Sequence, residues 1–376
     1  MARILLTNFH PTGGGGHVTY IQALTQISKF SDHVIGVAAP MGSQIYQQLS
    51  DCGYPFLYPC DFPAKVQKEL PDVLRNISKF RKIVSHFNPD IVHANGAADL
   101  FIAVWSYPTS HPFTIVRTHH AIRNIPNDPY HHWLYKHKVA NNIYVSHSAL
   151  NLSTIKGLVP SNAIVIENGV DLERFYPIPK NGALARKYGI DNDQCFCFGS
   201  CAGTGQYKRI DTIIDAALQL KKGGMSCFKI LVLGGNESSG LALQELANEK
   251  GVDEFIYCGF HREVVPYVSL FDVGFILSDS IETISFAARE MMAMGKPLIS
   301  SSFSGLKENI QHGISGFIVE PGDVSGVALA MKRFLEMDKE TLKRFSMKAR
   351  EYAASRFDVT QQKTAHALLY ERITRA

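Results

Sequence analysis

The sequence lacks any apolar run long enough to cross a bilayer. Its longest apolar stretches, residues 100–108 and 272–277, fall far short of the roughly 20 residues that a membrane-spanning helix needs. The first residues, MARILLTNF, also lack the long apolar core and small-residue cleavage site of a secretory signal. We therefore expect a cytoplasmic protein.

Cysteine is scarce, and its spacing excludes the common metal and redox motifs. The chain has 7 cysteines, most of them in or beside apolar runs, and contains no C-x-x-C pair. Residues 191–193 (DND) formally match a D-x-D metal motif, but they lie in a polar turn before a predicted strand. We expect reduced thiols and no bound metal.

Charge is also sparse and unevenly placed. Charged residues are 19% of the 376 residues and apolar residues 45%, which is typical of a globular protein of this length with two domains. Residues 1–170 contain 13 Lys and Arg against 9 Asp and Glu, whereas residues 171–376 contain 25 of each. The first half is therefore the better candidate for an anionic partner or a membrane surface.

Short apolar runs alternate with helical patterns along the whole chain. This alternation predicts an α/β protein with two parallel sheets, each covered by helices on both faces. We predict a first domain over residues 1–170, a linker over 171–182 and a second domain over 183–356, with residues 357–376 forming a final helix.

The first strand pattern breaks into four glycines, residues 13–16. The spacing does not fit G-x-G-x-x-G, and no Gly-Lys-Ser/Thr follows, so neither a dinucleotide fingerprint nor a Walker loop is present. Close approach of a ligand to the backbone at Gly15 and Gly16 is one interpretation, and a plain turn is the other.

Two glutamates eight residues apart, Glu282 and Glu290, follow a strand pattern in the second half. A helix starting near Ile284 would leave the backbone N–H groups of Ile284, Ser285 and Phe286 free to bind a phosphate. A carboxylate can accept two vicinal hydroxyls of a ribose. Glutamates at this spacing are also common on solvated helix faces.

Several motifs in order resemble the retaining glycosyltransferases of family 4, which have the two-domain GT-B fold. They are GGGGHVTYIQAL, PDIVHANG, VSHSALNL, IENGVDLERFYP, the E-x7-E segment with EMMAMGKP, HGISGFIVEPGD and the final FDVTQQKTAHALLYERI. The resemblance covers nearly the whole chain. It implies Rossmann-like domains facing a central cleft, with the acceptor on the first domain and a nucleotide sugar on the second. It also implies that the final helix, residues 357–376, crosses back onto the first domain.

The resemblance also implies roles for individual residues. Glu290 would hold the nucleotide ribose, Glu282 the donor-sugar hydroxyls, and Lys208 the diphosphate, while His120 would hydrogen-bond the transferred sugar. We count His120, Lys208 and Glu282 as the catalytic set. The implied donor-binding residues are Gly15, Gly16, Gly203, Arg209, Phe260, Ile284, Ser285, Phe286 and Glu290.

The sequence departs from the family pattern at two positions. Gly203 stands where the family usually has an Arg five residues before the Lys, and Thr283 stands where Gly is common. Arg209 is a candidate for the missing charge.

The acceptor side is defined less sharply. His93, Asn95 and Arg123 are candidate acceptor-binding residues, and the expected acceptor is a glycan or a lipid-linked molecule. The basic amphipathic pattern over 65–87 predicts either a contact with an anionic membrane or an ordinary helix packed on the sheet. No nucleic-acid partner is expected.

The resemblance implies a retaining, metal-independent transfer from a nucleotide-diphosphate sugar to an acceptor hydroxyl, in bacterial cell-surface polysaccharide, lipopolysaccharide or glycolipid synthesis. Two alternatives are open: a non-hydrolysing sugar-nucleotide epimerase of the same fold, and a non-catalytic nucleotide-sugar-binding protein.

Overall fold

A computed structural model describes residues 1–13, 15–63, 69–107, 112–122, 124–154, 157–158, 160–191 and 195–375. The chain forms two compact units. Unit 1 contains Met1–Asn168 and Val359–Ala376, and unit 2 contains Gly169–Asp358. The predicted linker, residues 171–182, lies inside unit 2.

The strands of the described residues, in chain order, are β1 (Arg3–Thr7), β2 (Val34–Ala39), β3 (Leu57–Pro59), β4 (Ile91–Ala94), β5 (Thr114–His119), β6 (Val139–Tyr144), β7 (Ala163–Val165), β8 (Phe196–Ser200), β9 (Phe228–Val232), β10 (Phe255–Tyr257), β11 (Val273–Ile276), β12 (Leu298–Ser301) and β13 (Gly316–Val319).

The helices of the same residues are α1 (Gly16–Thr25), α2 (Gln44–Asp51), α3 (Leu70–Phe87), α4 (Ala97–Ser106), α5 (Pro129–His137), α6 (His147–Thr154), α7 (Gly182–Lys187), α8 (Ile210–Lys222), α9 (Glu237–Glu249), α10 (Val265–Val268), α11 (Phe286–Ala293), α12 (Val324–Leu335), α13 (Lys339–Arg356) and α14 (Val359–Arg375). Short 3-10 segments lie at Gln26–Lys29, Gln206–Lys208 and Ser304–Asn309.

Each unit contains one parallel sheet. The strand order is β3-β2-β1-β4-β5-β6-β7 in unit 1 and β10-β9-β8-β11-β12-β13 in unit 2. The predicted α/β architecture with two parallel sheets is confirmed. In both sheets the order reverses beside the first strand of the unit, at β1/β4 and at β8/β11. Ligands of doubly wound folds bind beyond the carboxyl ends of the strands at such a reversal.

Burial on both faces explains why the strands are apolar without alternation. Every residue of β4 and of β11 is buried, as expected for strands covered by helices on both sides. Gly199 in β8 is required by this packing, because a Cβ there would lie 2.2 Å from the ring of Phe271. No helix in the described part of the chain is long and apolar enough to span a membrane.

The predicted amphipathic helix is described from Leu70 onwards, as α3, and residues 65–68 lie outside the described part. Its inner face packs in the core of unit 1 through residues that include Phe80 and Val84. Leu70 and Leu74, which the pattern places on the same apolar face as Phe80, are exposed instead. The helix therefore packs mainly through the face that starts at Val73.

Candidate active site

Two loops meet at the reversal point of the sheet in unit 2. The loop after β8 leads into the 3-10 segment that ends at Lys208, and the loop after β11 carries Glu282. Lys208 Nζ donates to the Glu282 carboxylate at 2.7 Å. Two residues expected to touch different parts of one ligand therefore contact each other directly.

The pair is well shielded from water. The Lys208 and Glu282 side chains are 9% and 12% exposed. The Ser278 hydroxyl donates to the same Glu282 oxygen that accepts from Lys208. Ser278 is not among the predicted residues, although its position two residues after the end of β11 and four residues before Glu282 could have marked it.

Arg209, the candidate for the missing diphosphate charge, is already held by two carboxylates. Its Nη2 lies 3.0 Å from Asp211 and its Nη1 lies 2.9 Å from Asp279. These hydrogen bonds, first to Asp211 and then to Asp279, raise the pKa of the guanidinium above its usual value. The positive charge of Arg209 is therefore largely neutralised within unit 2.

The first turn of α11 lies just after Glu282, but it starts later than predicted. Ser285 is the N-cap, and its hydroxyl accepts from the Ala288 N–H, so the helix begins at Phe286 and not near Ile284. The predicted helix start is corrected accordingly, whereas phosphate binding by the N–H groups of Ile284 and Ser285 stays a prediction. Phe286 and Ala287 are the first-turn residues whose N–H groups have no partner within the helix, and Ile284 and Ser285 precede it.

Glu290 lies one helical turn beyond Phe286, on α11. Burial raises the pKa of its carboxyl to about 7, and the positive charge of Arg174 offsets part of that rise. Burial and the nearby Glu290 carboxylate together raise the pKa of the Cys201 thiol. Because Cys201 follows β8, Glu290 faces the same reversal point as Lys208.

Gly203 cannot be replaced by the arginine of the family pattern without strain. Its φ is +86°, and a Cβ there would lie 3.2 Å from the backbone nitrogen of Gly235. Gly234 and Gly235, after β9, also have positive φ. The loops after β8 and β9 thus approach backbone to backbone, which favours glycine at position 203.

An open cleft of 720 Å³ lies beside these loops in unit 2. Its lining includes Thr204, Tyr207, Arg209, Asp279 and Ile281. Ile281 is 71% exposed and has a φ of +66°, an unusual conformation for a β-branched residue. Another exposed apolar side chain of unit 2 is the predicted donor-binding Phe260, at 68%.

The glycine loop of unit 1 ends in the N-terminus of α1. Gly15 is its N-cap with a φ of +45°, and Gly16 is its first residue. No atom lies within 4 Å of a Cβ built at Gly15. The backbone conformation, and not crowding by described atoms, is therefore what favours glycine at this position.

His120 follows β5 and is held by Asn95, which follows β4. Asn95 Nδ2 donates to the Thr7 carbonyl at 2.8 Å, so its Oδ1 is the atom that lies 3.0 Å from His120 Nε2. Nε2 must then carry the proton in this hydrogen bond. Burial, reinforced by neighbouring imidazoles, lowers the pKa of His120 well below its usual value. His120 is thus a neutral imidazole in one tautomer.

Two histidines that are not among the predicted site residues lie near His120. The ring centroid of His17 lies 4.1 Å from that of His120, and His10 lies 4.4 Å from His17. Burial lowers the pKa of His17 to about 3. His17 directly follows the glycine run and His10 lies three residues before it, and these positions are the signal that could have identified them.

The candidate acceptor residues are placed less favourably. His93 has no exposed surface, and its Nδ1 and Nε2 lie 2.7 Å from the Tyr370 hydroxyl and 2.6 Å from Thr118 Oγ1. Both ring nitrogens are therefore used within unit 1, which corrects the expectation of an acceptor contact. Asn95 is 2% exposed and acts on His120. Arg123 and residues 192–193 of the D-x-D match lie outside the described residues.

Two family models match this chain. Residues 13–174 match the family described as Glycosyltransferase Family 4, and residues 193–337 match Glycosyl transferases group 1. N-acetyl-alpha-D-glucosaminyl L-malate synthase of Bacillus anthracis is 23% identical over 91% of this chain and 95% of its own. D-inositol 3-phosphate glycosyltransferase of Mycobacterium sp. strain KMS is 28% identical, but over 55% of this chain and 46% of its own.

Solved structures share the fold over almost the full length. A glycosyltransferase of Rickettsia africae ESF-5 superposes with a TM-score of 0.84 at 18% identity, covering 99% of this chain and 98% of its own. The structure of Anabaena HepE in complex with UDP-glucose superposes with a TM-score of 0.79 at 18% identity, covering 99% of this chain and 100% of its own. Two parallel sheets of this order are those of the GT-B fold, and the two family matches make the chain a glycosyltransferase. The chain belongs to glycosyltransferase family 4.

Proposed function

We propose that this enzyme transfers a sugar from a nucleoside diphosphate sugar to an acceptor hydroxyl with retention of the anomeric configuration. The observation that carries the proposal is the contact of Lys208 with Glu282 at the reversal point of the sheet in unit 2. The first-turn amides of α11 and the Glu290 carboxyl lie on the adjoining helix. The lysine and the backbone amides suit a diphosphate, and the two carboxyl groups suit a ribose and a transferred sugar.

Each group has a proposed task. Glu290 accepts the ribose hydroxyls, and Glu282 accepts hydroxyls of the transferred sugar. Lys208 and the N–H groups of Phe286 and Ala287 stabilise the negative charge that develops on the leaving diphosphate. Because Lys208 already neutralises Glu282, the diphosphate must share the ammonium with that carboxylate.

The proposed reaction balances without a protein nucleophile. The bond between the anomeric carbon and the diphosphate oxygen breaks, and the bond to the acceptor oxygen forms on the same face. The departing diphosphate takes the acceptor proton. His120 is proposed to hydrogen-bond the transferred sugar, and no metal is required in this scheme.

The acceptor class is proposed from the relatives. Two other relatives are named for the biosynthesis of the polysaccharides colanic acid and amylovoran, which supports a glycan or lipid-linked acceptor in bacterial cell-surface synthesis. The relatives named for L-malate and D-inositol 3-phosphate place small anionic hydroxyl compounds in the same test panel.

The test is a panel of radiolabelled nucleotide sugars incubated with and without acceptors. We expect transfer or slow hydrolysis, with release of nucleoside diphosphate, and NMR of the product should show the donor's anomeric configuration. Formation of a new sugar epimer would identify an epimerase, and binding without turnover would identify a binding protein. Lys208→Gln should abolish turnover, whereas Lys222→Gln, at an exposed lysine of α8, should not change it.

A further inference from the structure

Both tryptophans of the chain lie on one surface of unit 1. Trp105, near the end of α4, is 49% exposed, and Trp133, in α5, is 40% exposed. The ring of Tyr130, also exposed, lies 6.1 Å from that of Trp133. Burial raises the pKa of Tyr130, and a hydrogen bond with the Trp105 side chain offsets part of that rise. Lys138 lies over the rings of both Tyr107, which follows α4, and Trp133, in α5, so the exposed rings of the two helices are neighbours.

Two cations are fixed among these rings. Lys138 Nζ lies 5.2 Å from the centroid of Tyr107 and 5.4 Å from that of Trp133. Arg81 of α3 donates from Nη2 to the Trp105 carbonyl at 3.1 Å. We call the set Trp105, Tyr107, Tyr130, Trp133, Lys138 and Arg81 the aromatic-basic surface. Single exposed apolar residues are ordinary, whereas a contiguous group of this kind marks an interaction site.

The Tyr107 and Lys138 end of the aromatic-basic surface is separate from the candidate active site. A groove of 260 Å³ beside Tyr107 and Lys138 is lined by the first residues of β5 and β6. His120 and Asn95 instead follow the carboxyl ends of β5 and β4. At about 3.3 Å per residue, the six residues of β5 separate the two edges by roughly 15–20 Å. The end of the surface at Tyr107 and Lys138 is therefore not the acceptor subsite.

The chemistry of the surface suits one kind of partner. Tryptophan and tyrosine combine a large apolar ring with a polar edge, which is why they concentrate at the headgroup level of membranes. Lysine and arginine beside them attract anionic lipids. We propose that the aromatic-basic surface docks this enzyme on an anionic phospholipid bilayer.

The proposal relocates the membrane contact predicted for residues 65–87. The exposed leucines of α3, Leu70 and Leu74, lie in its first two turns, while Arg81 lies near its other end beside Trp105. The helix thus contributes a cation to a surface that α4 and α5 mainly form. The docking does not depend on the proposed sugar transfer.

Because both tryptophans lie in the surface, their fluorescence reports its contact directly. The full-length protein is titrated with vesicles of phosphatidylcholine alone or mixed with phosphatidylglycerol. We expect a blue shift, quenching by brominated acyl chains and cosedimentation with the mixed vesicles only, all weakened by salt. The single variants Trp105→Phe and Trp133→Phe assign the shift to each ring.

A charge variant and a matched control complete the test. Lys138→Glu changes the local charge by two units and should weaken binding to mixed vesicles by roughly tenfold or more. Lys222→Glu combined with Leu329→Ala changes an exposed lysine and an exposed leucine in unit 2 and should leave binding unchanged. Thermal unfolding must show that each protein is folded.

Several results would overturn the proposal. They are no fluorescence shift with either kind of vesicle, equal binding to both kinds of vesicle, or an equal loss of vesicle binding in Lys138→Glu and in the control variant. A shift produced by a soluble polysaccharide and not by vesicles would instead make the surface a glycan platform.

Discussion

The side-chain ammonium of Lys208 lies 2.7 Å from the carboxylate of Glu282, and this contact joins the loops that follow β8 and β11. These two strands are neighbours in the sheet although β9 and β10 separate them in sequence. The contact therefore depends on the reversal of strand order that makes β8 and β11 neighbours. It also means that neither charge acts alone.

The first prediction concerns Glu282→Gln. The substitution removes the charge that neutralises Lys208, so free nucleoside diphosphate should bind as tightly as before or more tightly. Transfer should fall by roughly a hundredfold, because the sugar loses a charged acceptor. Calorimetry and initial rates measure the two effects. Glu336→Gln, which alters an exposed ion pair with Lys332, is the control, and lost diphosphate affinity would contradict the assignment.

The second prediction concerns the elevated pKa of Glu290. A carboxyl whose pKa rises from 4.5 in the unfolded chain to about 7 in the folded protein is harder to ionise after folding. Its contribution to the free energy of unfolding is therefore intact below pH 4.5 and is lost as pH rises through 7. Glu290→Gln should thus be more stable than the parent at pH 8, by up to about 3 kcal/mol, and no more stable at pH 4.

The affinity for nucleoside diphosphate should depend on the ionisation of Glu290 in the opposite direction from stability. If ionised Glu290 accepts ribose hydroxyls, affinity for nucleoside diphosphate should fall as pH drops below 7 in the parent. In Glu290→Gln it should be at least about tenfold weaker at pH 8 and nearly independent of pH. Calorimetry across that range tests this. A parent affinity that does not vary from pH 6 to 8 would place the ribose elsewhere.

The third prediction concerns Gly203. Its φ of +86° disfavours any side chain, so Gly203→Ala should lower the free energy of unfolding by about 1–2 kcal/mol. Gly203→Arg restores the residue that the family usually has at this position. It should lower the free energy of unfolding by at least as much as Gly203→Ala and should not raise the affinity for the donor. Gly13→Ala, where no atom lies within 4 Å of the new Cβ, is the control in urea unfolding.

The fourth prediction tests the corrected role of His93. Tyr370→Phe removes the hydroxyl that lies 2.7 Å from His93 Nδ1 and leaves that buried nitrogen without this partner. The expected cost is about 1–3 kcal/mol of unfolding free energy, with the KM for acceptor unchanged. Tyr176→Phe, at an exposed tyrosine, should cost nothing. An altered acceptor KM at unchanged stability would restore His93 to the acceptor site.

The fold could be predicted from the sequence because the strands of a buried parallel sheet have a clear sequence pattern. Buried parallel strands are short, apolar and separated by helices, so β4 and β11 stand out without knowledge of their neighbours. The E-x7-E motif likewise located Glu282 and Glu290 on one loop and helix.

The exact start of α11 was less predictable, because it depends on Ser285 acting as the cap when Thr283 was an equally plausible residue type. The pairing of charges could not be read from spacing. Arg209 to Asp279 and Lys208 to Glu282 both cross from the loop after β8 to the loop after β11, more than 60 residues away in sequence. Whether a polar residue such as His93 is buried likewise depends on a helix at the far end of the chain, α14.

The fifth prediction concerns Asn95 as a positioning residue for His120. Its amide is oriented by the Thr7 carbonyl, so its Oδ1 accepts from His120 Nε2 and fixes the proton there. Asn95→Asp replaces this acceptor with a carboxylate that stabilises the imidazolium. The pKa of His120 should rise, and the neutral tautomer should no longer persist at mildly acidic pH.

Two measurements separate positioning from a merely structural role. Nitrogen-15 NMR of the histidine rings should show His120 protonated at Nε2 in the parent, whereas the acidic limb of the pH–rate profile should move to higher pH in Asn95→Asp. Asn95→Ala should lower kcat by roughly tenfold to a hundredfold without shifting that limb, because it removes the orientation and adds no charge. If Asn95→Asp lowers stability and rate equally at every pH, then Asn95 supports the fold and does not set the protonation of His120.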